Sequence, residues 1–135
     1  LVANAVFKPV AERLVDTVPM HPVAVGICMD SPQIEQMNQA LTGRVLYCLD
    51  YSKWDSTQNP AVTSASVDIL ASYAEDTPLT SAAIATLCSP AIGRLDDIGL
   101  TVTTGLPSGM PFTSVINSVN HMIYFAMAVL EAYEE

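Results

Sequence analysis

An apolar run that ends in a carboxylate lies near the middle of the chain. The five residues before Asp50 are all apolar or aromatic, which is typical of a strand covered on both faces. A second carboxylate, Asp55, follows five residues later and precedes two hydroxyl residues. Because residues at this spacing do not share an ideal helix face, the sequence predicts a strand over 44–49 followed by a turn. The end of a strand is a rigid place for a metal ligand, so Asp50 and Asp55 form a candidate site.

Apolar periodicity and turn residues predict the other elements. The predicted helices are 3–17, 33–41, 60–74, 80–87 and 112–133, and the predicted strands are 23–29, 44–49, 91–95 and 100–104, the last two forming a hairpin. The predicted core face of helix 60–74 consists of Val62, Ala65, Ile69 and Tyr73. That of helix 112–133 consists of Val115, Val119, Met122, Ala126 and Val129. The paired acids Asp96 and Asp97 are interpreted as the hairpin turn and not as a metal site.

Composition limits the partners of this chain. Its 135 residues carry a net charge of −9 and only five Lys and Arg, so the chain alone is not predicted to bind nucleic acid. The same charge does not argue against the binding of divalent cations. The three cysteines lack C-x-x-C spacing and are predicted to be buried free thiols in a reducing compartment. The longest apolar stretch, residues 122–130, is too short to span a bilayer, so no transmembrane segment is predicted. Since the chain begins without Met and ends within a predicted helix, we expect a fragment of a longer protein.

A loop rich in glycine and proline, residues 105–111, opens the last predicted helix. Ser108 supplies a hydroxyl on this loop, and Thr113 and Asn117 lie one turn apart on the helix. Glycine allows close backbone approach to a ligand. These groups are suited to recognising a sugar hydroxyl or holding a template backbone. The alternative is that Thr113 and Asn117 only solvate one helix face or satisfy the helix start.

Both constellations resemble motifs of one family. Asp50-Tyr-Ser-Lys-Trp-Asp55 is similar to motif A of positive-strand RNA virus polymerases, and Gly105-Leu-Pro-Ser-Gly-Met-Pro-Phe-Thr-Ser-Val-Ile-Asn117 to motif B, in the same order. The residue sequences of both motifs are most similar to those of calicivirus polymerases, and within them to the sapovirus group. The resemblance covers essentially the whole chain. It implies an α+β fold from the palm and fingers of a right-hand polymerase, with residues 1–43 connecting fingers to palm and residues 44–135 in the palm.

The resemblance also implies a function. The parent enzyme would add ribonucleotides to an RNA 3′ end on an RNA template by two-metal phosphoryl transfer, during viral genome replication in the host cytoplasm. The implied roles are metal binding by Asp50 and the Tyr51 carbonyl (Mg²⁺ or Mn²⁺), ribose recognition by Asp55, Ser108 and Asn117 with support from Thr113, and a flexible template loop at Gly105 and Gly109. The implied partners are RNA template and primer, nucleoside triphosphates and the rest of the polymerase chain.

Two parts of the family pattern are not found in the sequence. These are the Gly-Asp-Asp hairpin, called motif C, and the basic triphosphate clamp, so the fragment alone is expected to be inactive. It is also expected to be marginally stable, because the strand of motif A would lack its partner. Two alternatives stay open at this point. One is a small acidic interaction domain, and the other is a reverse transcriptase. Asp55 disfavours the second alternative, because the reverse transcriptase family has a bulky aromatic steric gate at or near the equivalent position.

Overall fold

Helices make up most of the protein. The computed structural model describes residues 1–110 and 112–134. Within them it contains α1 (Val2–Asp16), α2 (Pro32–Leu41), a 3₁₀ turn (Trp54–Thr57), α3 (Pro60–Ala71), α4 (Pro78–Cys88), β1 (Ala91–Leu95), β2 (Ile98–Val102) and α5 (Thr113–Glu134). The helices combined with a small antiparallel sheet confirm the predicted α+β character. The assignment of residues 1–43 and 44–135 to fingers and palm stays a prediction.

Proline at the first turn starts three of these helices. The sequence predicts this for Pro32 and Pro60, whereas at Pro78 it predicts a break before a helix starting at residue 80. Before α3, the Asn59 side chain accepts a hydrogen bond from the Ala61 N–H at 2.9 Å. Before α4, the Thr77 hydroxyl accepts one from the Thr80 N–H at 3.3 Å. These side chains satisfy backbone donors that a helix start leaves without intrahelical partners. Local capping therefore fixes where α3 begins, immediately after the 3₁₀ turn.

The core lies where α3 packs against α4 and α5, with α1 covering α4 and α3. The Phe7 ring on α1 meets the Phe112 ring edge-on, with 6.0 Å between ring centroids. Leu106, from the glycine-rich loop, is also buried in this core, so the loop is anchored at that point. The buried cluster consists of Ala3, Phe7, Val67, Leu70, Ala83, Leu87, Leu106, Val115, Ile116 and Val119.

The predicted core faces of α3 and α5 are partly wrong. The buried residues of α3 are Thr63, Ser66, Val67 and Leu70, and those of α5 are Val115, Ile116, Val119 and Asn120. Ile69 and Tyr73 are 45% and 77% exposed, and Met122 is 41% exposed. The apolar periodicity missed the true faces because both helices bury polar side chains that bond to one another. A pattern that counts only apolar residues cannot place such an interface.

Two of the four predicted strands are absent from the described residues. The hairpin forms, with Ala91 paired to Val102 and Leu95 to Ile98, and its turn falls at Asp96 and Asp97 as predicted. Residues 23–29 and 44–49 have no strand structure, and residues 41–50 are exposed. A strand needs a neighbouring strand to take its backbone hydrogen bonds, and β1 and β2 pair with each other alone in the described residues.

The cysteine prediction is half correct. Cys28, Cys48 and Cys88 are free thiols, but all three are exposed. Cys28 and Cys48 lie in segments outside the helices, and Cys88 is the last residue of α4. The segments that carry Cys28 and Cys48 do not pack into the helical core, so apolar neighbours in the sequence did not bury them. Cys88 is exposed at the end of α4 although Leu87 beside it is in the core.

One described helix, α5, is long and apolar enough to cross a membrane by length and composition. Core helices of globular proteins pass the same test, so this property alone gives weak support for a membrane span. The uninterrupted apolar stretch 122–130 is much shorter than this 22-residue helix, so the length of that stretch does not indicate the length of α5. Residues 115–120 of α5 carry its four buried residues, and most of residues 122–134 are exposed.

Candidate functional site

The carboxylate of Asp55 is the centre of the candidate site. Its Oδ2 accepts a hydrogen bond from Ser108 Oγ at 2.8 Å, and its Oδ1 accepts one from Asn117 Nδ2 at 2.7 Å. Hydrogen bonds to an ionised acceptor are the strong ones. The fold thus brings together three of the residues predicted from the sequence, although they are 53 and 62 positions apart along the chain.

Hydrogen bonds also hold the backbone around Asp55 in place. The Asp55 carbonyl accepts from the Leu106 N–H at 2.7 Å, and the Gln58 carbonyl accepts from the Gly105 N–H at 3.0 Å. Gly105 has φ +81°, and a Cβ at this position would lie 2.9 Å from the Asp55 carbonyl oxygen. A side chain therefore does not fit here. The 3₁₀ turn and the glycine-rich loop run in direct backbone contact, which sets the Ser108 hydroxyl beside the carboxylate.

A second amide on α5 ties the same turn to the core. The Asn120 side chain is fully buried, accepts from Ser66 Oγ, and donates to Gln58 Oε1 at 2.8 Å and Thr63 Oγ1 at 3.2 Å. Gln58 in turn donates to the Trp54 carbonyl at 2.7 Å. In the described part of the chain, every buried side-chain nitrogen and oxygen has a hydrogen-bond partner. This satisfied network holds the 3₁₀ turn at a fixed distance from α5.

An aromatic cluster surrounds the site on the side of α5. The Trp54 indole Nε1 donates to Asn117 Oδ1 at 3.1 Å, and its ring lies 4.6 Å from the Tyr51 ring and 5.8 Å from the Tyr124 ring. The Tyr51 hydroxyl and His121 Nε2 are 3.1 Å apart. The sequence alone does not predict that these aromatic side chains meet at the site. The available signal was the placement of His121 on the same helix stripe as Asn117, with an aromatic residue directly before Asp55.

Thr113 and Gly109 lie near this site without touching the Asp55 carboxylate. The Thr113 hydroxyl donates to the Met110 carbonyl at 2.6 Å, which is a local bond at the start of α5. Gly109 has φ +85° and open space where a Cβ would be. The Thr113 side chain therefore connects the start of α5 to the loop by a hydrogen bond. Gly109 lies at an exposed point of the loop.

The other predicted half of the site is more open. Asp50 and Tyr51 are exposed, and Asp50 ends a stretch without regular structure. Carboxylate and carbonyl oxygens suit Mg²⁺. Among the residues that the structure describes, however, no group of three or more His, Cys, Asp or Glu side chains could hold a metal ion. The donor types fit a divalent cation, but these residues do not form a complete metal site by themselves.

A cleft of about 530 Å³ lies beside the glycine-rich loop, lined by that loop, the end of α4 and the start of α3. Cys88 is part of its wall. Desolvation raises the pKa of the Cys88 thiol, a hydrogen bond with Ser64 lowers it, and the Asp68 carboxylate raises it. The raised pKa keeps the thiol protonated at neutral pH, so Cys88 is not suited to act as a nucleophile there.

Comparison with known proteins gives the family. The family model for viral RNA-dependent RNA polymerases matches residues 1–135. The genome polyprotein of feline calicivirus is 45% identical over 134 residues, which are 98% of this chain and 8% of that polyprotein. Those of vesicular exanthema of swine virus and canine calicivirus are 44% and 38% identical over 136 residues, 99% of this chain and 7% of each polyprotein.

These matches extend over the whole chain and include both motifs found in the sequence. The similarity to caliciviruses that the motifs indicated is confirmed, and the closer likeness to the sapovirus group stays a prediction. The chain spans less than a tenth of the length of its polyprotein relatives, 8% in the feline calicivirus case. The family model matches all of residues 1–135, and the Asp55 network lies within its motifs. This chain therefore belongs to the viral RNA-dependent RNA polymerase family.

Proposed function

We propose that this chain is the part of a calicivirus-like RNA polymerase that recognises the ribose of the incoming nucleotide. The observation that carries the proposal is the Asp55 carboxylate, which receives one hydrogen bond from Ser108 and one from Asn117. Family membership leaves no support for the acidic interaction domain or the reverse transcriptase as alternatives.

The chemistry of the network matches a ribose hydroxyl. A 2′-hydroxyl both donates and accepts, and it is the group that distinguishes ribonucleotides from deoxyribonucleotides. Asp55 offers acceptor oxygens, the Ser108 hydroxyl can donate or accept, and the Asn117 amide has a second N–H beyond the one given to Asp55. Asp55 and Asn117 are half-buried while Ser108 is exposed, so the network opens toward solvent on the side of the loop. A nucleotide could approach from that side.

Asp50 would supply the metal-binding half of the active centre. Its carboxylate and the Tyr51 carbonyl are proposed to hold one of two Mg²⁺ or Mn²⁺ ions, with further ligands from another part of the polymerase, such as the Gly-Asp-Asp motif that the resemblance implies. The bound ions would stabilise the attacking and leaving oxygens of phosphoryl transfer. The residues described here would position the sugar and contribute one carboxylate.

The remaining partners follow from the same proposal. The polymerase would bind an RNA template and primer and nucleoside triphosphates, in the cytoplasm of the infected cell. With a net charge of −9, this chain would contribute little to phosphate binding, so basic surfaces of the rest of the polymerase would hold the RNA.

The 135-residue chain alone should not add nucleotides to primed RNA, because the described residues do not complete a metal site. The measurement is incorporation of labelled nucleotide with Mn²⁺, with the intact polymerase as the positive control. Robust incorporation by residues 1–135 alone would contradict this part of the proposal.

Sugar discrimination by the intact polymerase tests the central proposal. In Asn117→Ala and Asp55→Ala variants, kcat/KM for a ribonucleotide should fall while that for the matching 2′-deoxynucleotide changes little. The ratio should drop about ten- to a hundredfold, since a hydrogen bond to a charged group is worth about 1.5–3 kcal/mol. Asn38→Ala, at an exposed position of α2, is the control and should leave the ratio unchanged. An equal loss for both sugars would show that the network only supports the fold.

A further inference from the structure

We propose that Trp54 is a positioning residue that fixes which way the Asn117 amide points, and so sets how strongly the site prefers ribose. The inference rests on the proposed function and extends it to a residue that touches no substrate. Trp54 comes directly before Asp55 in the 3₁₀ turn, and its indole reaches the amide that bonds to Asp55.

The bonding partners determine the direction of the amide. Asn117 Oδ1 accepts from the Trp54 indole N–H at 3.1 Å, while Asn117 Nδ2 donates to Asp55 Oδ1 at 2.7 Å. An indole nitrogen can only donate, and an ionised carboxylate can only accept. A flipped amide would set its NH₂ against the indole N–H and its carbonyl against the carboxylate. The bonds at both ends of the amide therefore require the same orientation, and Trp54 provides one of these two bonds.

Without Trp54, the amide would keep only its bond to Asp55. The Asn117 carbonyl would then turn more freely, and the second N–H of Asn117 would lose its fixed direction. That N–H is the donor that the proposed function assigns to the ribose hydroxyl. The cost should fall on ribonucleotides, because a 2′-deoxynucleotide has no hydroxyl for this donor to meet.

The indole is held in place independently of Asn117. The Trp54 ring contacts the Tyr51 ring at 4.6 Å and the edges of the His121 and Tyr124 rings at 6.0 and 5.8 Å. The Trp54 carbonyl accepts from the side chain of Gln58, which is bonded to the buried Asn120. These contacts place the indole N–H before any nucleotide binds, as a preorganised site requires.

A simpler interpretation is that the half-buried indole N–H has merely found an acceptor. This interpretation predicts that removing the N–H slows the enzyme equally on both sugars or not at all. An orienting role predicts a loss confined to ribonucleotides. Trp54→Phe removes the N–H and shortens the ring, and replacing Trp54 by 3-benzothienylalanine removes the N–H while keeping the two-ring shape. The second variant keeps the test valid if the first folds poorly.

The control is Tyr124→Phe, which removes a hydroxyl group from the same aromatic cluster and keeps the ring. The Tyr124 hydroxyl accepts from the Asn59 N–H at 3.0 Å, and its ring contacts the Trp54 ring. The measurement is kcat/KM of the intact polymerase for one ribonucleoside triphosphate and its 2′-deoxy counterpart, with Asn117→Ala in the same assay.

We expect both Trp54 replacements to lower the ribose preference about three- to tenfold, the size of one neutral hydrogen bond, through the ribonucleotide alone. Tyr124→Phe should leave the preference unchanged. If Asn117→Ala lowers the preference and the Trp54 replacements do not, or if they slow both sugars equally, the role of Trp54 is overturned and the proposed function stands. If Asn117→Ala itself leaves the preference unchanged, the proposed function fails and this inference fails with it.

Discussion

Asp50 and Asp55 lie five residues apart in one motif, yet their surroundings differ in almost every respect. Asp55 is half-buried, and both of its carboxylate oxygens accept hydrogen bonds from side chains distant in the sequence. Asp50 is exposed at the end of an irregular stretch, residues 45–50. Spacing alone makes the two acids one candidate pair, the family resemblance implies different roles for them, and the structure gives them different surroundings.

The difference shows which half of the site this chain can build alone. The surroundings of Asp55 come from α5, the glycine-rich loop and the 3₁₀ turn, which pack on one another through buried residues. The surroundings of Asp50 would require a neighbouring strand for residues 44–49 and further carboxylates for a metal, and the described residues provide neither. Ribose recognition is therefore proposed to be preorganised within this segment, whereas metal binding is proposed to depend on the rest of the polymerase.

The largest expected effect comes from the exposed acid. In the intact polymerase, Asp50→Asn should reduce nucleotide addition by about three orders of magnitude, because metal stabilisation of the transition state is worth several kcal/mol. The unfolding temperature should be unchanged, since Asp50 is exposed. Primer extension and a thermal melt are the two measurements.

The control for this variant is Asp97→Asn, in the turn between β1 and β2. It removes an equally exposed carboxylate that the site does not use, so it should retain full activity. Appreciable nucleotide addition by the Asp50→Asn enzyme, or a large fall in its unfolding temperature, would remove the contrast between a metal-binding Asp50 and a ribose-recognising Asp55.

The sequence predicts features that depend on neighbouring residues better than features that depend on tertiary contacts. The helix start at Asn59 and Pro60 and the hairpin turn at Asp96 depend on local chemistry, and these predictions are confirmed. The sequence does not predict the cap at Thr77, and α4 begins two residues before the predicted start. The strand over 44–49 failed because its stability depends on a partner strand. The Asp55 network was predicted from family resemblance to motifs, since spacing alone cannot show that residues 62 positions apart will touch. Trp54 and Asn120 were missed because their roles are set by tertiary contacts between polar groups.

The buried amide Asn120 should give the next largest effect, on stability. Asn120→Ala would leave Gln58, Thr63 and Ser66 without their shared partner in a buried setting. An unsatisfied buried polar group costs about 1–3 kcal/mol, so we expect a loss of about 3 kcal/mol. Hydrogen exchange of the amides in α3 and the first half of α5 should speed up accordingly, because it reports local opening.

Asn4→Ala, at an exposed position of α1, is the matched control and should leave this exchange unchanged. Exchange in the stretch 45–50 should be equally fast in all three proteins, because that stretch has no regular structure to lose. If Asn120→Ala leaves the exchange of α3 and α5 as slow as in the parent protein, the amide does not hold the Asp55 half of the site together.

The smallest expected effect separates two glycines of the same loop. Gly105 and Gly109 both have positive φ, +81° and +85°, so alanine at either position costs about 1–2 kcal/mol in backbone strain. At Gly105 the new Cβ would also lie 2.9 Å from the Asp55 carbonyl, whereas at Gly109 it would meet open space. Gly105→Ala should therefore lose about 1 kcal/mol more stability than Gly109→Ala.

The two glycine variants also differ in what they should do to the chemistry. To relieve the overlap, Gly105→Ala must push the loop away from Asp55, which lengthens the bond between the Leu106 N–H and the Asp55 carbonyl and moves Ser108 off the carboxylate. Ribose preference should fall in this variant and persist in Gly109→Ala, when both are compared by kcat/KM for ribonucleotide and deoxynucleotide. Equal behaviour of the two variants would mean that backbone strain alone matters and that close contact between the loop and the 3₁₀ turn does not position the Asp55 network.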